Sequence, residues 1–362
     1  MKLPLDPINA LRALAVVCIV AIHVTSGQAE SQMAVYLWNQ AGRFASPLFI
    51  FLSGFLLYLI EARRPSADYK SFLGRRLNRV AVPYVLWTAF YTVYQVFSDS
   101  LEVPSEDPLS FLIQKTVLHT LNGQGFSHLY FVLIMVQLYA LFPLLYRWVQ
   151  HAPRLLLAGS FALTLATLTA IYAHQNGQII LPSLPVAWTA LFPGWLFYFV
   201  LGMVASGRIE EWQSFLRPHA LKLGAGWLLA LAVLLWDGKI TGTYAISVKP
   251  TTMLYFFMSL LLLVHLLSRL TVAHAWLVRA VDWTAKQGFA IYLVHPFILS
   301  ILVKSGQKFG FASIWYGFDG ALLLFATTCI LTCSTVSIIN LMPFSAYLGG
   351  RRNDRRRVRH VA

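Results

Sequence analysis

Residues 8–26 read INALRALAVVCIVAIHVTS, an apolar stretch interrupted by one arginine, Arg12, and one histidine, His23. A helix needs about twenty mostly apolar residues to cross a bilayer. A charged side chain inside such a stretch is costly and is therefore a candidate for function. The stretch predicts a first transmembrane helix that carries polar chemistry.

The rest of the chain repeats this apolar pattern. The 362 residues are 58% hydrophobic with a mean hydropathy of +0.64, and only 12% are charged, whereas soluble domains carry about 25% charged residues. We therefore expect an all-α, polytopic integral membrane protein with about ten transmembrane helices. The predicted spans are 8–26, 43–61, 80–98, 128–148, 154–174, 188–206, 221–237, 251–268, 287–304 and 318–340.

The distribution of basic residues predicts the orientation. With both termini in the cytoplasm, 21 of the 28 Lys and Arg residues fall in cytoplasmic segments and six in outer segments, as the positive-inside rule requires. We expect a transmembrane domain over 1–345 and a basic cytoplasmic tail over 346–362. The net charge of +14 thus indicates contact with membrane lipids, through the tail arginines, and no nucleic-acid partner.

Arg12 and His23 share one face of the predicted first helix. They are eleven residues apart, which brings them within about 20° of alignment and separates them by about 16.5 Å along the axis. Arginine binds phosphate through parallel hydrogen bonds, and histidine exchanges a proton near neutral pH. Two plainer interpretations stay open: Arg12 reaching to the interface, and His23 forming an interhelical hydrogen bond.

Other polar residues are weaker candidates. Arg76 and Arg79 lie three residues apart and suit an anionic ligand, although orientation bias explains them equally well. His128 begins a span where an outer substrate could reach it, His295 fits packing better, and His265 is expected at the interface. Ser53 could carry an acyl group, although helix packing is favoured. Three cysteines form neither a disulfide framework nor a metal site.

Five sequence elements occur together in one order. They are Arg12-x10-His23; Pro47 to Gly54; Arg76-x-x-Arg79 followed by Pro83; His128-Leu-Tyr130-Phe131 with Tyr139 and Pro143; and Ile291-Tyr292-Leu293-Val294-His295-Pro296. In these elements, and in its length and span number, the chain resembles the membrane-bound acyltransferase family 3 of bacterial O-acyltransferases.

The resemblance implies a reaction in the bacterial cytoplasmic (inner) membrane. An acyl group, most commonly acetyl, passes from cytoplasmic acyl-CoA to a hydroxyl of a cell-surface polysaccharide or lipid-linked glycan. Arg12 and His23 would be the essential pair, with Arg12, Arg76 and Arg79 binding CoA. His128, Tyr130, Ser53 and His295 are the weaker candidates for the acceptor side. Acetyl-CoA is the expected donor, and no metal is expected.

The chain departs from the family pattern in three places. Asn9 stands where many members have an acidic residue, Tyr130 stands where tryptophan is common, and the gap between Arg79 and Pro83 is one residue longer. Some members carry an appended soluble esterase-like domain. We expect this chain to act alone or with a separate periplasmic transferase or polysaccharide synthesis complex.

Two other functions fit a polytopic helical protein. One is a transporter or exporter of a glycan or lipid-linked intermediate, and the other is a structural subunit of a synthesis complex. Buried carboxylates, which ion-coupled transporters often use, are absent from the deep parts of the predicted spans, and no internal repeat is evident. These absences favour the enzyme.

Overall fold

The computed structural model describes residues 3–4, 6–63, 68–98, 100–104, 106–244, 246–267, 271–272 and 274–351. Their α-helices are α1 Pro7–Thr25, α2 Met33–Ala41, α3 Ala45–Arg63, α4 Tyr69–Phe97, α5 Pro108–Asn122, α6 Tyr130–His151, α7 Pro153–Gln175, α8 Leu196–Ala205, α9 Ile209–Leu216, α10 Ala220–Thr241, α11 Pro250–Leu267, α12 Ala275–Lys308 and α13 Gly317–Ile339. A two-residue antiparallel pairing joins β1, Leu3–Pro4, to β2, Thr271–Val272.

The described residues form nine helical segments long and apolar enough to cross a membrane, with α2 and α3 counted as one segment and α9 and α10 as another. The predicted all-α, multi-pass architecture is confirmed. Helix α1 starts at an Asp6 cap, whose carboxylate accepts hydrogen bonds from the backbone N–H groups of Ile8 and Asn9. It packs against α2, α3, α12 and α13 and is thus surrounded by other helices.

The predicted span 188–206 is not a continuous helix. It consists of two 3-10 turns, Trp188–Ala190 and Phe192–Gly194, followed by the short apolar helix α8. Gln137 donates to the carbonyl of Ala190 and accepts from the backbone N–H of Phe192. The hydroxyl of Thr164 likewise bonds to two backbone groups of the broken segment. Broken backbone survives at membrane depth because neighbouring side chains satisfy its polar groups.

Several helices continue beyond the predicted spans, because hydropathy detects only the apolar part of a helix. The span predicted at 80–98 belongs to α4, which begins at Tyr69, and the span predicted at 287–304 belongs to α12, which begins at Ala275. The polar connection between the third and fourth predicted spans contains the helix α5.

Both ends of the described chain meet at one end of the bundle. The Asn9 side chain donates to Asp282 of α12 at 2.9 Å, and Gln287 of the same helix donates to the carbonyl of Arg351. We call this the inner end, because the positive-inside rule assigns it to the cytoplasm; the opposite end, where α1 carries His23, is the outer end. The predicted basic tail covers 346–362, and most of it, residues 352–362, lies outside the described residues.

Helices α3 and α8 approach backbone to backbone at two glycines. A Cβ atom added at Gly202 would lie 2.0 Å from the carbonyl oxygen of Phe51, and one added at Gly54 would lie 2.1 Å from that of Phe199. Small residues permit such close helix contacts in membranes. This contact fixes the short helix α8 against α3.

Replacing Gly202 by alanine should therefore destabilise the protein by about 1–3 kcal/mol through overpacking. Thermal unfolding in detergent measures the effect. Gly224→Ala is the matched control, because a Cβ there meets nothing within 4 Å. Equal melting temperatures for the two variants would contradict the close α3–α8 contact.

Candidate functional site

A narrow apolar crevice runs along α1 between Arg12 and His23. It has about 160 Å³ of empty space, in a shape too narrow to hold a water molecule. Its walls come from α1, α3 and α12, through the residues Val16, Ile19, Val20, Phe49, Gly288, Ile291, Tyr292 and His295. We call it the α1 crevice. The three lining residues from α1 lie between Arg12 and His23 in sequence, so the crevice lies beside this part of the helix, although neither Arg12 nor His23 lines it.

Three histidines meet at the outer end of this crevice. The ring centroid of His23 lies 5.1 Å from that of His295 and 6.5 Å from that of His128, and the latter two lie 5.9 Å apart. We call them the histidine cluster. They come from α1, from the loop before α6, and from α12, so the fold gathers residues that are more than 100 positions apart.

His295 is held in one tautomer. Its Nδ1 lies 2.9 Å from the carbonyl oxygen of Ile291, which can only accept, so Nδ1 carries the proton. Its Nε2 is buried and has no hydrogen-bond partner among the described residues. His295 is therefore only half satisfied, although the sequence favoured a fully hydrogen-bonded packing residue.

His128 is 1% exposed, and neither ring nitrogen has a partner in the described part of the chain. The hydroxyl of Tyr292 donates to its backbone carbonyl, and Tyr91 packs edge-on against its ring. His128 is thus a fixed, buried imidazole and not an interfacial anchor. Buried polar groups normally find partners, so the unpaired nitrogens of His128 and His295 make these two residues candidates for contact with a bound molecule.

His23 is the accessible member of the histidine cluster, since it is only partly buried. Its backbone carbonyl accepts from Ser26, whereas its ring forms no hydrogen bond with any described residue. An imidazole of this kind can accept a proton from a bound hydroxyl.

At the inner end, Arg12 is oriented by a relay. Its Nη1 donates to the amide oxygen of Asn9 at 3.4 Å, and the Asn9 amide donates to Asp282 at 2.9 Å. Many family members have an acidic residue at the position of Asn9. Here the carboxylate comes from another helix, because Asp282 contacts Asn9, which in turn contacts Arg12. Arg351 also lies close enough to interact electrostatically with Arg12. Sequence reasoning missed Asp282 because nothing near it in sequence marks it.

The remaining predicted site residues are dispersed. Arg76 is half-buried and interacts with Tyr139, which hydrogen-bonds Ser53, whereas Arg79 is exposed on the same helix. Ser53 makes no ring or hydrogen-bond contact with the histidine cluster, whereas Tyr130 lies close enough to interact with Arg43.

His265 lies in the last turn of α11, near the end of the span as expected, and is 4% exposed because neighbouring helices cover it. Among the described residues, no group of three or more His, Cys, Asp and Glu side chains is arranged to hold a metal ion.

Two cations that the orientation count assigned to outer segments are buried in the structure. Arg43 is 3% exposed and Lys249 is fully buried. The ammonium of Lys249 pairs with the carboxylate of Asp237 at 2.8 Å, and Asp237 also accepts from Tyr172 and Thr251. Asp237 is the last residue of the predicted span 221–237, so it does not contradict the expectation that the deep parts of the spans lack carboxylates, but the sequence did not single it out as buried. Its position at the end of an apolar run was the available signal.

Burial lowers the pKa of Lys249 below its usual value. The hydrogen bond and charge of Asp237 oppose this lowering, and the charge of Arg43 adds to it. We refer to Asn39, Arg43, Asp237, Ser247 and Lys249 as the outer network.

The chain belongs to the Acyl_transf_3 family, described as an acyltransferase domain, whose model matches residues 6–339. It is therefore a multi-pass membrane protein of an acyltransferase family. Its similar relatives include proteins of Staphylococcus aureus, strains MSSA476 and MW2, each named probable poly-beta-1,6-N-acetyl-D-glucosamine export protein. Each is 24% identical over 269 residues, covering 72% of this chain and 70% of the relative. No solved structure matches the chain.

Replacing Lys249 by methionine should leave Asp237 buried without its cation and destabilise the protein by about 3–5 kcal/mol. The double variant Lys249→Met/Asp237→Leu should recover part of that loss, and chemical unfolding in detergent measures both. Lys239→Met, a change at an exposed lysine of the same outer end, is the control. An unchanged stability of Lys249→Met would show that the ion pair contributes little.

Proposed function

We propose that this protein is a membrane O-acyltransferase that moves an acyl group, with acetyl as the expected one, from cytoplasmic acyl-CoA to a hydroxyl of a cell-surface polysaccharide or lipid-linked glycan. The observation that carries the proposal is the α1 crevice, which lies beside the part of α1 between Arg12 and His23 and is lined by His295 of the histidine cluster. The family membership supports acyl transfer.

The inner end suits the phosphates of a CoA donor. Arg12 is aligned by Asn9 and lies near Arg351, which concentrates positive charge at the inner end of α1. Arginine pairs well with phosphate oxygens. Arg76 and Arg79 would add to this binding surface from α4. The uncharged acyl-bearing arm would then extend along the apolar walls once the crevice widens.

The outer end suits the acceptor. His23 would take the proton of the attacking hydroxyl, because it is the accessible member of the histidine cluster. His295 and His128 would shape the pocket around it, and the Nε2 lone pair of His295 could accept a hydrogen bond from the acceptor. Tyr130 would complete this side, while the position of Ser53 beside Tyr139 makes it the weaker choice.

The polysaccharide context rests on the relatives, whose name refers to a glucosamine polymer. It supports a place in a bacterial cytoplasmic membrane and an acceptor made of linked sugars. Acyl-CoA, the glycan and membrane lipids would be the partners, with a separate periplasmic transferase or a polysaccharide synthesis complex as a further partner. No metal is needed for the proposed chemistry.

Export is the second candidate function, because the relatives are named export proteins. An exporter would need a polar path for a sugar chain, and the lining of the α1 crevice is apolar apart from Tyr292 and His295. Asp237, a buried carboxylate at the outer end, is neutralised by Lys249 and is thus poorly suited to ion coupling. The enzyme accounts better for the unpartnered histidines.

Surface glycan from a deletion strain separates the two functions. Glycan that is exported in normal amounts but lacks acyl esters by mass spectrometry supports the transferase. Glycan retained inside the cell, with its esters intact, supports the exporter.

Replacing His23 by alanine should lower kcat for acyl transfer by about 10²–10⁴-fold, the usual contribution of a general base. The measurement is ester formation on membrane glycan with labelled acetyl-CoA. His174→Ala, at an exposed histidine of the outer end, serves as the control. Full activity of the His23 variant would remove this histidine from the reaction.

Replacing Arg12 by alanine should raise KM for acetyl-CoA roughly 10- to 100-fold, because charge-assisted hydrogen bonds contribute about 1.5–3 kcal/mol. Arg279→Ala, at an exposed inner-end arginine, is the matched control. Asp282→Ala should raise KM less, since Asp282 acts through Asn9. An Arg12 variant with unchanged donor affinity would exclude Arg12 from the donor site.

A further inference from the structure

Arg43 is a buried cation without a role in the reaction proposed above. It lies in the turn between α2 and α3 at the outer end and is 3% exposed. Arg43 forms no ion pair with a carboxylate of a described residue. The buried carboxylate of the outer network, Asp237, pairs with Lys249 instead. A buried arginine normally has an anionic partner, since an isolated buried charge is costly.

The guanidinium of Arg43 is held in a fixed orientation. Its Nε and Nη2 both donate to the amide oxygen of Asn39, and its Nη1 donates to the hydroxyl of Ser247 at 3.0 Å. A guanidinium has five N–H donors, so two remain without a partner in the described part of the chain. One of these N–H groups is on Nη1 and the other on Nη2, and both are available to a further acceptor.

The same support ties Arg43 to the turn of α1 that carries His23. The Asn39 amide donates to the carbonyl of Ile22 at 3.0 Å and to the hydroxyl of Thr25 at 2.8 Å. These residues flank His23 in sequence. Arg43 and His23 interact electrostatically, and Arg43 also interacts with Tyr130. One side-chain amide therefore joins Arg43 to the helical turn that carries His23.

The outer network carries more positive than negative charge. It contains two cations, Arg43 and Lys249, and one anion, Asp237, and all three are buried. Surplus buried charge lowers stability unless an anion appears beside it. Such surplus is useful in an enzyme whose reaction develops negative charge at that place, because a fixed cation stabilises it without reorganisation.

We propose that Arg43 is a catalytic residue that stabilises the oxyanion formed during acyl transfer at His23. The inference rests on the proposed function. The donor carbonyl would lie between the free N–H groups of Arg43 and the ring of His23, with the acceptor hydroxyl entering from the outer side.

The proposed step conserves atoms and charge. The acceptor oxygen bonds to the carbonyl carbon of the thioester while its proton passes to the ring of His23. The carbonyl π electrons move to the carbonyl oxygen, which becomes the oxyanion facing Arg43. The intermediate then re-forms the carbonyl and breaks its carbon–sulfur bond, and the CoA sulfur leaves and receives the proton from His23. The products are the ester and free CoA thiol.

The test compares Arg43→Gln, Arg43→Lys and wild type as full chains in membranes. The assay uses labelled acetyl-CoA and a glycan-containing membrane fraction from a deletion strain. We expect Arg43→Gln to lower kcat about 10²–10³-fold, as the loss of an oxyanion donor does, with KM for acetyl-CoA changed less than about threefold. Arg43→Lys should retain more activity than Arg43→Gln, because lysine keeps the charge but not the fork.

Stability distinguishes catalysis from a structural role. Arg43→Gln removes a surplus cation but also the hydrogen bonds to Asn39 and Ser247, so it should lower the melting temperature clearly less than Lys249→Met does. Lys239→Gln, at an exposed cation of the outer end, controls for a general charge effect.

Three results would overturn the assignment while wild type is active. They are a kcat of Arg43→Gln within about tenfold of wild type, a loss confined to KM, and a fall in melting temperature matching that of Lys249→Met. Absence of transfer by wild type would instead count against the proposed function.

Discussion

A polar group inside a membrane must find a partner within the protein, because hydrocarbon offers none and an unpaired group costs several kcal/mol. This constraint explains how α1 is held. Its inner end is joined to α12 through Asn9 and Asp282, and its outer end to Asn39 of α2 through Ile22 and Thr25. The broken segment before α8 follows the same rule, since side chains of α6 and α7 satisfy its backbone. The central helix is therefore fixed at both ends.

Exceptions to the rule occur in several parts of the described bundle, among them single side-chain atoms of Gln40, Thr88, Thr252, Gln287, Trp315, Thr328 and Thr332, and the ionisable ones include a group near His23. His128 and His295 have buried nitrogens without partners, and Arg43 has no carboxylate among the described residues. All three lie around His23. Natural proteins keep such costly arrangements mainly at functional sites, where the missing partner is a substrate or a developing charge. This grouping favours chemistry at the outer end of the α1 crevice over a purely structural role for these residues.

Family membership and the names of the relatives point to different activities, acyl transfer and export. A shared fold does not decide between them, since function depends on the site. Here the site combines cations at the inner end, a narrow apolar crevice, and imidazoles at the outer end. These features match a reaction that joins a charged cytoplasmic donor to an acceptor on the other side. A polymer-conducting path would need a wider and more polar lining.

The sequence by itself determined the membrane class, nine of the spans to within their ends, and the shared face of Arg12 and His23, because apolar length and helical period are local properties. It also singled out His128 and His295, but not their meeting with His23. Only the tertiary structure decided that meeting, the role of Asp282 behind Asn9, and the burial of Arg43, which lies in a turn that reads as an outer loop. These features depend on contacts between helices distant in sequence, and hydropathy does not indicate which helices become neighbours.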